Sequence, residues 1–350
     1  MKIGIVNELP LAANTLRRAL ALEKGHHVVW SATSGTEAVE QCALNTPDLV
    51  LMDLAMAGMD GVEVTRRIMA SSPCAILIIT DSVRANAARV FDAMGRGALD
   101  VVDMPALDPA NLPRSAAPLL TKIATISRLV SEKDGDHGGA EVRKAPASGL
   151  RDDRLIAMGA SAGGPGALAT VLAGLPKDFG AAIVIVQHVD SQFAAGMTEW
   201  LSRHSALPVR VAKEGDRPAA GIVLMAGTGD HLTLKTADRL GYTPEPGHYA
   251  YRPSVDVFFH SVSRLWRGDV VGVLLTGMGS DGALGLKALR NHGHHTIAQD
   301  EASSAVYGMP KAAAALKAAV EILPMERIAA RLVDVLGSRV ELNRNSTLKG

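Results

Sequence analysis

The sequence predicts an α/β protein made of two doubly wound parallel-sheet domains in series. Three observations carry this. Short apolar runs alternate with amphipathic segments over residues 1–130, a polar Gly-rich stretch follows at 131–150, and a second series of buried strands begins at Arg154. At 350 residues the chain is long for one domain, and with 47% of it apolar each half can bury its own core. Aromatic residues supply only 3%, so Ala, Val, Leu, Ile and Gly must fill that core, as parallel sheets covered by helices require.

In the first half, strands are expected at 3–6, 28–31, 48–53, 75–80 and 99–102, with helices at 12–22, 35–44 and 62–69 between them and a closing helix at 116–130. Such βα units form a sheet whose site lies at the carboxyl ends of its strands. Residues 131–150 are aperiodic and rich in Gly, Ser and charge, which marks a flexible linker. In the second half, spanning 151–340, strands are expected at 155–160, 181–188, 209–211, 222–226, 270–276 and 296–299. A hairpin is expected near 229–236 and helices at 311–320 and 325–336, with a frayed tail after Ser338 that covers 341–350.

Formal net charge is zero, which argues against a broad electrostatic footprint for nucleic acid or anionic lipid. No apolar stretch is long enough to cross a bilayer, and Met1–Val6 predicts a strand rather than a secretory leader. Cys42 and Cys74, the only cysteines, are expected to be reduced, buried thiols. The expected location is the cytoplasm, without membrane insertion.

Chemistry-bearing residues fall at strand ends. Asp53 closes the third strand, Asn7 and Glu8 follow the first, and Thr80 ends the fourth. This order resembles the receiver domain of two-component response regulators, a flavodoxin-like fold. The resemblance implies that Asp53 accepts a phosphoryl group from a histidine kinase, that Mg²⁺ is held by Glu8 and Asp53 beside Asn7, and that Thr80 bonds the phosphoryl oxygens. Two departures stand out: Asn7 replaces one of the usual acidic pair, and Met104 stands before Pro105 where the receiver pattern has lysine. Losing that ammonium removes a charge-assisted hydrogen bond to phosphate.

In the second half, Gly159-Ala-Ser161-Ala-Gly163 follows an apolar strand and precedes a helical segment. Glycines flanking a serine permit a tight strand-to-helix turn that exposes the hydroxyl near a helix N-terminus. His188 ends the next strand, and Asp281 follows a later one in Thr276-Gly277-Met278-Gly279-Ser280-Asp281. Parallel strands open on one edge, so nucleophile, base and orienting carboxylate converge there, with Gly277 and Gly279 letting backbone amides approach an oxyanion. The order Ser…His…Asp differs from that of α/β-hydrolases. Each residue also has a plain structural reading: Ser161 and Asp281 suit helix caps, and His188 suits a satisfied polar strand end.

The same segments, with Gln187-His188, Tyr251-Arg-Pro-Ser254-Val-Asp256, Ile297-Ala-Gln299-Asp and Val306-Tyr-Gly-Met-Pro310, resemble the CheB family of chemotaxis protein-glutamate methylesterases. The resemblance covers most of 154–325, a Rossmann-like methylesterase domain with a β-hairpin, and keeps the family's order of receiver, linker and esterase. Segments 2–7 and 98–105 look most like methylesterases of Wsp-type surface-sensing pathways. The resemblance implies a Ser161–His188–Asp281 triad that hydrolyses glutamyl methyl esters of a methyl-accepting chemoreceptor, deamidates its glutamines by the same chemistry, and needs no cofactor for either. It also implies that the Met278 amide helps hold the oxyanion. Ala162 departs from the family's threonine after the nucleophile.

Other readings remain open at this level. The glycine loop and Tyr307-x-x-x-Lys311 suggest an NAD(P)-dependent oxidoreductase, although the glycines are out of register and Pro310 disfavours the helix that would join Tyr307 to Lys311. A receiver-linked binding module without activity is a second alternative. His292-Gly-His294-His295 suggests a metal site but is better read as a polar surface turn. Ser254 has no base beside it in sequence and is read as substrate-side positioning or plain loop structure. The receiver is expected to inhibit the esterase until phosphorylation shifts the equilibrium.

Overall fold

A computed structural model describes residues 1–108, 110–131, 153–247, 249 and 251–347. The chain divides into two compact units, Met1–Gly138 and Gly139–Gly350. The predicted linker, 131–150, lies outside the described residues apart from Ser131.

The first unit runs β1 (Lys2–Val6), α1 (Pro10–Leu20), β2 (His27–Ala32), α2 (Gly35–Leu44), β3 (Leu49–Asp53), α3 (Gly61–Ser71), β4 (Ala75–Thr80), α4 (Ala87–Gly95), β5 (Asp100–Asp103) and α5 (Leu112–Ser131). Its five strands pair in parallel in the order β2-β1-β3-β4-β5. Leu49, Val50, Leu51 and Met52 of β3 are wholly buried, because a central parallel strand has helices on both faces. Local signals start the helices where sequence places them. Ser34 accepts a hydrogen bond from the Glu37 N–H (3.3 Å), and the Glu37 carboxylate reaches back to the Thr33 N–H (2.8 Å).

The second unit runs β6 (Arg154–Ala160), α6 (Gly164–Ala173), β7 (Ala182–Gln187), α7 (Ser191–Arg203), β8 (Val209–Val211), β9 (Val223–Met225), β10 (His231–Leu234), β11 (Leu240–Thr243), α8 (Val255–Leu265), β12 (Asp269–Leu274), α9 (Ala283–Asn291), β13 (His295–Gln299), α10 (Met309–Ala315), β14 (Glu321–Leu323) and α11 (Met325–Thr347). Seven parallel strands are ordered β14-β13-β12-β6-β7-β9-β8, and β10 and β11 form a separate antiparallel hairpin. From β6 the chain builds outward through β7 in one direction and through β12 in the other. The carboxyl end of β6 is therefore the topological switch point, where doubly wound sheets open a crevice.

Three differences from the sequence expectation have local causes. The helix expected at 311–320 stops at Ala315, because Lys317 takes φ +50° and the Ala318 N–H returns to the Ala313 carbonyl (2.8 Å), a left-handed helix stop. The residues released there lead into β14, a three-residue edge strand too short to leave a periodic signal. The last helix continues to Thr347, past the expected fraying after Ser338.

Tight packing at the switch point requires glycine. A Cβ on Gly159 would lie 2.2 Å from Val255 Cγ1, at the head of α8. Gly159→Ala is expected to destabilise the second unit by about 1–3 kcal/mol. Urea unfolding followed through Trp200 and Trp266, which belong to that unit, measures the loss; an unchanged midpoint would show that β6 and α8 are not locked at this contact.

Candidate active site

Ser161, His188 and Asp281 leave the carboxyl ends of β6, β7 and β12, three adjacent strands. The ladder continues past the strands to fix each exit. The Leu275 N–H donates to the Gly159 carbonyl (2.9 Å), the Ser161 N–H to Thr276 (3.0 Å) and the His188 N–H to Ala160 (3.0 Å). Ser161 does not cap α6; that position is Gly163, at φ +73°. The serine is thus free of the structural duty its sequence context allowed.

His188 Nε2 lies 2.8 Å from Asp281 Oδ2, with both side chains buried. Asp281 is gripped from four directions. Oδ2 also accepts from the Val255 N–H (2.7 Å), while Oδ1 accepts from Ser254 Oγ (2.7 Å) and the Asp256 N–H (3.0 Å). These donors form the N-terminus of α8, so the carboxylate sits where a helix dipole favours negative charge. Asp281 does not cap α9, whose N-cap is Gly282. Burial works against ionising Asp281, but the bonds it accepts, led by His188, more than offset this and hold its pKa below the ordinary carboxylate value.

With an ionised acceptor at Nε2, that nitrogen carries the proton and Nδ1 is left as the basic lone pair. Nδ1 is buried and has no partner. This ring orientation is the reverse of the commoner triad, in which Nδ1 faces the carboxylate. Tyr251 lies flat on the imidazole, centroids 4.2 Å apart and planes inclined by 6°.

Several residues that hold this arrangement were given no role by sequence reasoning. Gln187 Nε2 donates to the carbonyls of Ser161 (2.9 Å) and His188 (3.1 Å), tying the two strand exits together. Thr276 Oγ1 donates to the Ala162 carbonyl (2.9 Å), and Gln299 Oε1 accepts from the Thr276 N–H (2.8 Å). Ser254 is fully buried, caps α8 and holds Asp281, so it is a positioning group, and its own N–H donates to His231 Nδ1 (3.1 Å). Polar Gln at the end of an apolar strand is the one sequence signal that pointed toward the first of these. His231 has none, since only the hairpin brings it here.

The Gly277 N–H is already committed to the Val306 carbonyl (3.0 Å), so it is not a free oxyanion donor. Gly277 serves by close approach instead: a Cβ there would lie 2.7 Å from Ser161 Cβ. Gly279 takes φ +77° and leaves the turn around Met278 open. Tyr307 bridges Gly277 before α10 begins at Met309, so Tyr307 and Lys311 do not share a helix, contrary to the dinucleotide reading. His292 to His295 do not converge with other ligand-type side chains: among the described residues no group of three or more His, Cys, Asp or Glu could hold a metal ion, and His292 Nδ1 meets the Ala288 carbonyl.

In the first unit, Asp53 lies half-buried at the end of β3. Its Oδ2 accepts from Asn7 Nδ2 (2.9 Å) and its Oδ1 from the Ala55 N–H (3.0 Å). Glu8 accepts from the Ala57 N–H (2.9 Å), and the Thr80 hydroxyl accepts from Asn86 Nδ2 (2.8 Å). Burial raises the Asp53 pKa, and repulsion from Asp81 and Glu8 adds to it. Asp81, directly after Thr80, was missed in sequence because it lies outside the acidic pair. Arg89 reaches this loop from α4, donating to the Leu54 carbonyl (2.9 Å) and Asp60 (3.2 Å). Among the described residues no group of three or more His, Cys, Asp or Glu is arranged to hold a metal ion.

Residues 156–332 match the CheB methylesterase family, and residues 3–115 match the response regulator receiver domain. The chain belongs to the CheB methylesterase family. It is 60% identical over 335 residues to "Protein-glutamate methylesterase/protein-glutamine glutaminase 1" of Pseudomonas fluorescens Pf0-1, covering 96% of this chain and 99% of that one. It is 58% identical to "Protein-glutamate methylesterase/protein-glutamine glutaminase 3" of Pseudomonas aeruginosa PAO1, with the same coverage. The methylesterase domain is also similar to the crystal structure of the Thermotoga maritima CheB methylesterase catalytic domain, at 30% identity and a TM-score of 0.51, over 53% of this chain and all of that one. No helix among the described residues is long and apolar enough to cross a membrane.

One titration should be visible in the methylesterase domain. Burial raises Asp256, beside Asp281, to about 6 from 3.8. The folded state therefore binds the extra proton between those values, and this group's contribution to stability is lost as pH rises from about 4 through about 6. In Asp256→Asn, which keeps an acceptor for the Gly285 N–H, unfolding midpoints measured across that range should lack this decline relative to wild type. Parallel profiles would assign the buried carboxylate an ordinary pKa.

Proposed function

We infer that the protein is a receiver-controlled protein-glutamate methylesterase and protein-glutamine glutaminase. The observation that carries this is the buried His188–Asp281 pair, set at the two strand ends that flank the strand leading to Ser161 in a CheB-type domain. His188 Nδ1 takes the Ser161 proton as the hydroxyl oxygen attacks the γ-carbonyl of a methylated glutamate on a methyl-accepting chemoreceptor. Asp281 holds the tautomer and stabilises the imidazolium. The tetrahedral oxyanion lies toward the amides of Met278 and Ala162. His188 returns its proton to the leaving methoxide, methanol departs, and water hydrolyses the acyl-serine by the same residues. A glutamine amide passes through an equivalent intermediate and loses ammonia.

The receiver takes its phosphoryl group on Asp53 from a histidine kinase of the same pathway, in the cytoplasm. Mg²⁺ suits this site: Glu8 and Asp53 would hold it, and a cation would offset both the burial that chiefly raises Asp53 and the repulsion from Asp81 and Glu8. The ion neutralises charge on the phosphoryl group. Thr80 remains a hydrogen-bond donor to that group, since Asn86 occupies only an acceptor position on its oxygen. Segments 2–7 and 98–105 support a Wsp-type surface-sensing pathway as the setting.

Two measurements test these assignments. Methanol release from a methylated receptor should fall by about a thousandfold or more in Ser161→Ala; undiminished release would overturn the mechanism. Incubation with acetyl phosphate and Mg²⁺ should phosphorylate the wild type but not Asp53→Asn, and should raise the esterase rate only in the former. Equal rates before and after phosphorylation would remove the receiver from control.

A further inference from the structure

Tyr251 belongs to a motif that the triad does not use, yet it makes the closest ring contact in the active site. Its ring covers one face of the His188 imidazole at 4.2 Å, nearly parallel to it. Its hydroxyl extends to the oxyanion turn, where a Cβ on Gly279 would lie 3.6 Å from it. The chain just after it is anchored twice. Arg252 Nη2 donates to the Gly247 carbonyl (3.1 Å), and Ser254, three residues on, grips Asp281 and donates to His231. The aromatic face is thus held against the one side chain that must gain a positive charge during the reaction.

We propose that Tyr251 is a positioning residue that holds the His188 ring flat and stabilises its protonated form through the face of its own ring. The proposal rests on reading Ser161, His188 and Asp281 as the triad. A cation against an aromatic face is attracted by the ring quadrupole, more strongly where water is excluded. The neutral imidazole gains less from the same stack, so the contact strengthens as the proton moves from Ser161 to Nδ1. The phenol stays neutral, since burial and then Asp281 raise its pKa.

Other groups face this pair and set the background. Asp281 is bonded to His188, and Asp256 lies at the head of α8. His231 lies on the hairpin side with Asp230 and Arg252, Tyr249 packs edge-on to His231, and Asp190 caps α7 just beyond His188. None of these is altered by a change at Tyr251, which lets one substitution isolate the ring.

The alternative role for Tyr251 is to shield His188 from water, and the two roles predict opposite shifts. Removing a shield relieves desolvation and favours the protonated base, whereas removing a partner of the cation disfavours it. The test is the pH profile of inactivation of the full-length protein by a fluorophosphonate, which needs the serine and its base but no receptor. In Tyr251→Leu the acid limb should move down by roughly half a unit, and the plateau rate should fall about two- to tenfold. Tyr251→Phe should retain wild-type behaviour, and Tyr251→Trp should move the limb upward. An upward or absent shift in Tyr251→Leu overturns the proposal. If that variant does not fold, a limb in Tyr251→Trp that fails to rise overturns it equally. Labelling that persists in Ser161→Ala would instead overturn the triad reading.

Discussion

The site depends on the seating of one carboxylate at one helix end. Asp281 uses both lone-pair positions of each oxygen, on His188, Ser254 and two α8 amides, and an anion satisfied in this way tolerates burial that would otherwise protonate it. Its direction fixes that of His188, which leaves Nδ1 as the only basic position on the ring. Loosening α8 would release the carboxylate and the imidazole with it. The glycines around the switch point serve this seating: Gly159 and Gly282 both back onto Val255, the first residue of α8.

The sheet explains why three distant residues can meet without long loops. Strands β12, β6 and β7 are adjacent and parallel, so residues just past their ends emerge side by side. The exits must then be pinned, because backbone groups beyond the ladder lose their strand partners. Gln187, Thr276 and Gln299 supply those bonds, and their buried amides and hydroxyl form a polar scaffold beneath the nucleophile. Thr276 and Gln299 offset the cost of burial with more than one directed contact each, whereas Gln187 donates twice through Nε2 and leaves its buried Oε1 without a partner.

The receiver site shows the converse situation, with charge left uncompensated. Asp53 faces Glu8 and Asp81, and Met104 stands where the resemblance expects an ammonium. Burial, and then repulsion from Asp81 and Glu8, raises Asp53 in the unmodified protein, so the site disfavours its own negative charge. Arg89 lies on the same loop but is engaged by Leu54 and Asp60.

By itself the sequence determined the two-unit organisation, nearly every strand, and the placement of Ser161, His188 and Asp281 just past three strand ends. It also placed Asp53 at the end of its strand, with Asn7 and Met104 as departures from the receiver pattern. These are legible because apolar runs, glycine punctuation and strand-end polar residues are local patterns. Only the tertiary structure decided what Asp281 grips, which imidazole nitrogen is free, and that Ser254 positions rather than attacks. It also decided that Tyr251 covers the base, that His231 backs Ser254, and that the helix after Met309 stops for a short edge strand. Those outcomes depend on contacts between segments far apart in the chain, chiefly the head of α8 against the ends of β6 and β12. No local period or spacing encodes which donors a buried carboxylate will find.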